Sequence, residues 1–139
     1  MKFSTRTRYA LRLMVELALS DRNTFVSLKD VAGKQDISIK YLEQIIPHLT
    51  RAGLVTSSRG PRGGYKLAHA PSAYTPGDII RAIEGNLAPI ACLECSPNAC
   101  ARADQCTTLK FWSGLHQSIN AYLDSITLEE LAHSNKKSP

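Results

Sequence analysis

The tightest constraint in this sequence is the short distance between two helix signals. Ser27, followed three residues later by Asp30, opens an amphipathic segment in which Leu28, Val31 and Ala32 share a face, and the pattern runs out near Gln35. Ser38 then caps a second segment. Its Leu42, Ile45, Ile46 and Leu49 recur at steps of three and four, leaving Lys40, Glu43, Gln44 and Arg51 on the outside. Two apolar stripes joined by so short a connector must reach the same core, which predicts a helix-turn-helix. Pro47 removes a backbone bond inside the second helix and predicts a kink there, not a second loop. Gly53 supplies a stop. Residues 54–59 and 65–68 then flank the turn cluster Gly60-Pro61-Arg62-Gly63-Gly64, which predicts a β-hairpin placed as a wing directly after the second helix.

The rest of the chain reads as further helices around this unit. A helix is predicted over residues 5–19, with Ala10, Leu13, Met14, Leu17 and Ala18 inward and Arg8, Arg12 and Glu16 outward. After a connector at Pro71 and Ser72, Thr75 with Pro76 starts another helix, which carries Ile79, Ile80, Ala82 and Ile83 and ends at Gly85. Residues 86–106 show little periodicity, and a loop of that length needs an organising principle of its own. From Thr107 a long helix is expected, with Trp112, Leu115, Ile119, Tyr122 and Ile126 forming a narrow seam that implies a partner helix, most simply from a second subunit. Thr127 and Glu130 cap a short terminal turn, and residues 134–139 are polar. The fold class is therefore mainly α with a small β-hairpin. Residues 1–70 form a winged helix-turn-helix domain, and residues 71–139 supply a helix, a cysteine loop and a long C-terminal dimerisation helix.

Charge is distributed unevenly between these halves. Residues 1–70 hold 12 Lys and Arg against 5 Asp and Glu, whereas residues 71–139 hold 5 against 7. A positive field on the helix-turn-helix half supplies the sequence-independent attraction to phosphate that a nucleic-acid binder needs. The arrangement is a device for reading duplex DNA, with the second helix in the major groove and the wing against the neighbouring minor groove or backbone. Ser38, Lys40, Tyr41, Glu43 and Gln44 lie at or near the exposed start of the recognition helix. Gln44 suits adenine and Glu43 suits cytosine, Ser38 and Lys40 suit phosphate, and Arg59 and Arg62 at the wing tip suit a narrow minor groove. Two copies related by a two-fold axis predict a roughly palindromic operator. Binding a protein through the same charged face is the rival reading.

All four cysteines, Cys92, Cys95, Cys100 and Cys106, fall within one loop with the spacing C-x2-C-x4-C-x5-C. The apolar stretches are interrupted by charge and too short to cross a bilayer, and the first residues lack a secretory signal, so a cytoplasmic location is expected. In that reducing compartment, clustered thiols read as ligands or redox groups before they read as disulfides. Spacing alone leaves iron-sulfur and tetrahedral zinc equally open. A thiol switch without metal is a further alternative. No nucleophile elbow, phosphate loop or His-Glu metal motif is present, so an enzyme is not expected.

Several segments carry a specific likeness: residues 1–4 through Tyr9-Ala10-Leu11-Arg12, Tyr41-Leu42-Glu43-Gln44-Ile45, Ala52-Gly53-Leu54-Val55, Arg59-Gly60-Pro61-Arg62-Gly63-Gly64-Tyr65, and the cysteine loop before Trp112. Across nearly its whole length the chain resembles the bacterial winged-helix regulator family that includes IscR, NsrR and CymR. The resemblance implies a homodimeric regulator, commonly a repressor. It also implies a [2Fe-2S] or [4Fe-4S] cluster held by Cys92, Cys100 and Cys106, used to sense iron-sulfur, redox or nitric oxide status. Leu109 stands where IscR has a histidine ligand, and Arg8 stands where NsrR takes a carboxylate. The fourth ligand is thus left open, with Cys95 as the local candidate and His116 as a weaker one.

Overall fold

The computed structural model describes residues 2–94 and 101–134. Helix α1 (Thr5–Leu19) starts at Ser4, whose side chain accepts the Thr7 N–H, and it buries Thr7, Ala10, Leu13, Met14 and Leu17. Helix α2 (Leu28–Gln35) is capped by the Ser27 side chain. It ends at Asp36, which takes the left-handed conformation at φ 54° and is the one non-glycine residue with positive φ among the described residues. With Ile37 and Ser38 it makes the turn into helix α3 (Ile39–Arg51), which is capped by Ser38 and buries Leu42, Ile45, Ile46 and Leu49. The chain stays helical through Pro47.

Strands β1 (Val55–Ser58) and β2 (Gly64–Leu67) form the antiparallel hairpin, with Val55 opposite Leu67 and Ser58 opposite Gly64. Val26 joins the hairpin as an isolated bridge, exchanging both backbone bonds with Tyr65 at 2.8 Å. The wing is therefore stitched to the segment that feeds α2. Gly64 makes this possible: a Cβ there would run into the Val26 carbonyl, and its φ of 147° lies outside the range L side chains favour.

Helix α4 (Pro76–Glu84) opens with a complete capping box between Thr75 and Asp78. A short 3-10 turn at Ala91–Leu93 precedes the undescribed residues 95–100. Helix α5 (Leu109–Leu123) follows, and helix α6 (Leu128–His133) opens with a capping box between Thr127 and Glu130. The expected long helix thus begins two residues later than its sequence pattern suggests and stops at Leu123, which leaves Ile126 in the connector. Ser125 turns its hydroxyl back to the Tyr122 carbonyl at 2.6 Å, and Thr127 starts a new helix, so the three-four spacing of Ile126 does not extend α5.

One apolar core runs through the molecule. Leu13 and Met14 of α1, Leu42 and Ile45 of α3, Tyr74, Ile79 of α4 and Leu128 of α6 belong to a single buried cluster. The core therefore crosses residue 70 and draws on both ends of the chain. Helix α5 is the exception. None of its residues is buried, and Phe111 and Tyr122 are 66% and 75% exposed. No helix among the described residues is long and apolar enough to cross a membrane.

Candidate nucleic-acid interface and cysteine loop

The start of α3 presents its polar residues outward because they lie off the apolar stripe. Lys40, Glu43 and Gln44 are exposed, as are Arg59 and Arg62 on the wing. The side chains of these five residues make no hydrogen bond or ion pair with another described residue. Ser38 has a structural task as well, since its Oγ accepts the Tyr41 N–H at 3.1 Å and caps the helix.

Tyr41 differs from the other sequence candidates because it is half-buried. Its ring meets that of Tyr9 on α1 edge-on, with centroids 5.1 Å apart and an interplanar angle of 76°. The Arg12 guanidinium lies 5.4 Å from the Tyr9 centroid. Arg12 also donates from Nε to Gln35 Oε1 at 2.9 Å and bonds the Gln35 carbonyl, while Gln35 Nε2 donates to Glu16 Oε1 at 2.6 Å. A cation placed on the last carbonyls of α2 satisfies groups the helix cannot. Helix α1 thereby braces the turn between the two helices and the half-buried Tyr41 at the start of α3. None of this was anticipated from the sequence, where Arg8, Arg12 and Glu16 formed only a polar face.

The tip of the wing depends on close backbone approach. A Cβ at Gly63 would strike the Ser58 carbonyl oxygen, so only glycine lets the chain fold back behind Arg59 and Arg62. At the base of the hairpin, Lys66 lies over the Phe25 ring, its Nζ 4.6 Å from the centroid.

The root of the cysteine loop is fixed by a carboxylate. Glu84 Oε1 accepts the Thr7 hydroxyl at 2.7 Å, the Ser4 hydroxyl at 2.7 Å and the Ser4 N–H at 3.2 Å. Bonds from Thr7 and then Ser4 hold the carboxyl below its ordinary range, against the opposing effect of burial. Asn86 adds a second tie by donating to the Glu94 carbonyl at 2.9 Å. Within the loop, Cys92 is half-buried in the 3-10 turn and Cys106 is exposed just ahead of α5. Cys95 and Cys100 lie outside the described residues. The Cys106 thiol sits 3.4 Å from the Thr108 hydroxyl; that side chain first, then the Thr108 N–H, lowers its pKa. No group of three or more His, Cys, Asp or Glu comes together among the described residues. His116 lies on α5, half-buried, and Leu109 is the first residue of that helix.

A buried-stripe helix following a three-residue turn opened by a left-handed Asp36, with a basic glycine-tipped hairpin behind it, defines a winged-helix DNA-binding transcription regulator. The chain belongs to the Rrf2 family, described as iron-dependent transcriptional regulators, whose model matches residues 3–134. It is 41% identical over 132 residues to the HTH-type transcriptional regulator CymR of Bacillus subtilis, covering 95% of this chain and 90% of that one. It is 39% identical to protein rrf2 of Nitratidesulfovibrio vulgaris, over 94% of this chain and 87% of that protein. To the HTH-type transcriptional regulator IscR of Yersinia enterocolitica it is 36% identical, over 96% and 80%. Among solved structures, CymR of B. subtilis, named the global cysteine regulator, superposes with a TM-score of 0.80 at 40% identity, over 98% of this chain and 99% of that one. The T. potens IscR superposes at 0.77 with 38% identity, over 100% and 93%. These relatives are transcriptional regulators, not enzymes.

Proposed function

We propose that the chain works as a homodimeric repressor in the cytoplasm, binding a roughly palindromic duplex operator and sensing iron-sulfur, redox or nitric oxide status through its cysteine loop. The observation that carries this reading is the set of uncommitted polar side chains at two neighbouring positions in the chain order, the start of α3 and the tip of the wing. Lys40, Glu43 and Gln44, with Ser38 and Tyr41, enter the major groove, and Arg59 and Arg62 follow the adjacent minor groove. Residues 1–70 provide this reading head and residues 71–139 the sensor and dimer elements. The exposed apolar side chains Phe111, Leu115 and Tyr122 on α5 suit a second copy of the same helix.

Cys92, Cys100 and Cys106 are the thiolates that would hold a [2Fe-2S] or [4Fe-4S] centre, with Cys95 as the local candidate for a further ligand. The donor chemistry fits: the exposed Cys106 is hydrogen-bonded by Thr108, and four thiols within one short loop suit soft metal ions. When bound, such a centre supplies a group that reacts with oxidants and nitric oxide. The chain's own part is to hold the loop between Glu84, bonded to α1, and the first turn of α5. The likeness to CymR, known also from Staphylococcus aureus in an oxidized form at 34% identity and a TM-score of 0.74, favours a second reading. In it the exposed Cys106 acts as a thiol switch, or the loop holds zinc, with no iron.

The test is the iron, sulfide and zinc content of protein purified without oxygen, with its absorption spectrum and operator affinity before and after oxidant or nitric oxide. Stoichiometric iron and sulfide, with a chromophore and an affinity that change together, support the cluster reading. Colourless, iron-free protein after anaerobic reconstitution overturns it in favour of zinc or thiol chemistry. DNA binding itself fails if genomic fragments are bound no better than bulk DNA, whereas specific regulators favour their sites by about a thousandfold or more.

A further inference from the structure

The contact between the end of α5 and the start of α4 is built around one carboxylate. Asp124, the C-cap of α5, accepts from Arg81 Nη1 at 3.0 Å and Nη2 at 2.8 Å, and from the Thr75 hydroxyl at 2.9 Å. Arg81 Nη2 also donates to Asn120 Oδ1 at 2.9 Å, one turn earlier on α5. This is the one Lys or Arg to carboxylate ion pair among the described residues. Gly77 lies beneath it, buried, and a Cβ there would strike both Asp124 Oδ1 and the Arg81 guanidinium. The carboxylate therefore occupies the first turn of α4, where the positive end of the helix dipole favours an anion.

Elsewhere α5 lies lightly on the body, since none of its residues is buried. Its other end receives the chain from the cysteine loop. A bidentate fork constrains direction as well as distance, so a helix gripped by one at a single end takes its heading from that grip.

We propose that the Arg81–Asp124 lock, seated on Gly77, is the positioning joint that sets the angle at which α5 leaves the DNA-binding body. In the dimer that angle fixes the separation of the two recognition helices along DNA. The proposal rests on the dimeric, DNA-binding reading above. It assigns Arg81, Asp124 and Gly77 no contact with DNA or with the cysteines. They act by giving α5 a fixed pivot against which movement of the loop becomes a change of spacing.

Duplexes selected in vitro with the wild-type chain provide a half-site, and inverted pairs of it are then made with the centre-to-centre distance varied one base pair at a time. Binding is measured for wild type, Asp124→Asn, Gly77→Ala and Arg81→Lys, with dimerisation checked by sedimentation and folding by thermal melting. The expected result is a sharp optimum for wild type. The variants remain folded dimers that bind an isolated half-site like wild type, but their preference for the optimal spacing falls by about fivefold or more. A folded Asp124→Asn dimer with the wild-type spacing profile overturns the proposal. If Asp124→Asn does not fold, Arg81→Lys, which keeps the charge and removes the fork, decides in the same way. A wild type that binds as a monomer or without a preferred spacing overturns the dimeric reading, and the joint with it.

Discussion

The phenol of Tyr74 donates to the Leu54 carbonyl at 2.7 Å while accepting the His69 N–H at 2.9 Å, so one side chain from the connector ties both ends of the wing to the core. Tyr74 is 2% exposed, and burial holds its pKa above the ordinary phenol value. Tyr74→Phe keeps the shape, leaves the His69 N–H without a partner, and strips the Leu54 carbonyl of one of its two bonds, the other coming from the Ala68 N–H at 3.1 Å. We expect a loss of about 1 to 3 kcal/mol in urea unfolding. An unchanged midpoint would show that water replaces the hydroxyl.

Ser38 separates folding from binding. Its Oγ caps α3, and alanine at an N-cap costs about 1 kcal/mol while glycine costs a few tenths. Ser38→Ala should therefore lower stability more than Ser38→Gly. If the hydroxyl also meets phosphate, both variants lose operator affinity to the same degree. Affinities that instead track the two stabilities would remove Ser38 from the contact model.

The sequence reading was most accurate where local signals agree. Helix α1 occupies residues 5–19 as its periodicity required, and the caps at Ser38, Thr75 and Thr127 are made by the side chains expected to make them. The exposure of Lys40, Glu43 and Gln44 was legible for the same reason, because they are what an apolar stripe leaves over. The end of α5 was not, since Ile126 keeps the helical spacing and the competing signal is the distant partnership of Asp124 with Arg81, 43 residues away. Nor could periodicity show that Glu84 seats on Ser4, 80 residues earlier, or that Tyr41 at the start of α3 packs on Tyr9 of α1. Bonds across such separations are consequences of packing and leave no pattern in the linear chain.

Gly64 is the position in the wing least able to change. Alanine there would place a methyl group against the Val26 backbone at an unfavourable φ, breaking the bridge between Val26 and Tyr65. Gly64→Ala should cost about 2 to 4 kcal/mol, the range of steric and backbone lesions. DNA affinity should fall even at temperatures where the variant stays folded, as measured by fluorescence anisotropy with the same duplex.

Glu84 makes stability depend on acid pH. Its folded pKa lies below the unfolded value, roughly 4.3 for a glutamate, so its contribution is complete above that value and disappears as the pH falls through the lower, folded one. Glu84→Gln should cost about 1 kcal/mol at pH 7, at the modest end because the carboxylate is partly open to water. Asp124 is depressed in the same direction and stays in both proteins, so the difference between wild type and variant isolates Glu84. That difference should close on acidification in denaturant titrations. A gap that stays constant down to acid unfolding would count against the charged bond.

Arg59 tests the wing by its salt dependence. Replacing it with alanine should weaken operator binding and lower the slope of log affinity against log salt by about 1, as expected for one lost phosphate contact. A weaker affinity with an unchanged slope would point to a base or sugar contact in its place.

Leu128 of α6 is fully buried against the face of α1, and its N–H bonds the Tyr74 carbonyl at 2.9 Å. During synthesis α1 therefore waits for the much later α6 before its apolar face is fully covered. The chain through α4 emerges with its core open, and the cysteine loop is made before that core can close over Leu128. Synthesis order thus ties closure of the core beneath the helix-turn-helix to completion of the segment that contains the cysteines. A chain halted within the loop lacks the α6 side of its core, and it leaves exposed the apolar surface that quality-control proteases recognise.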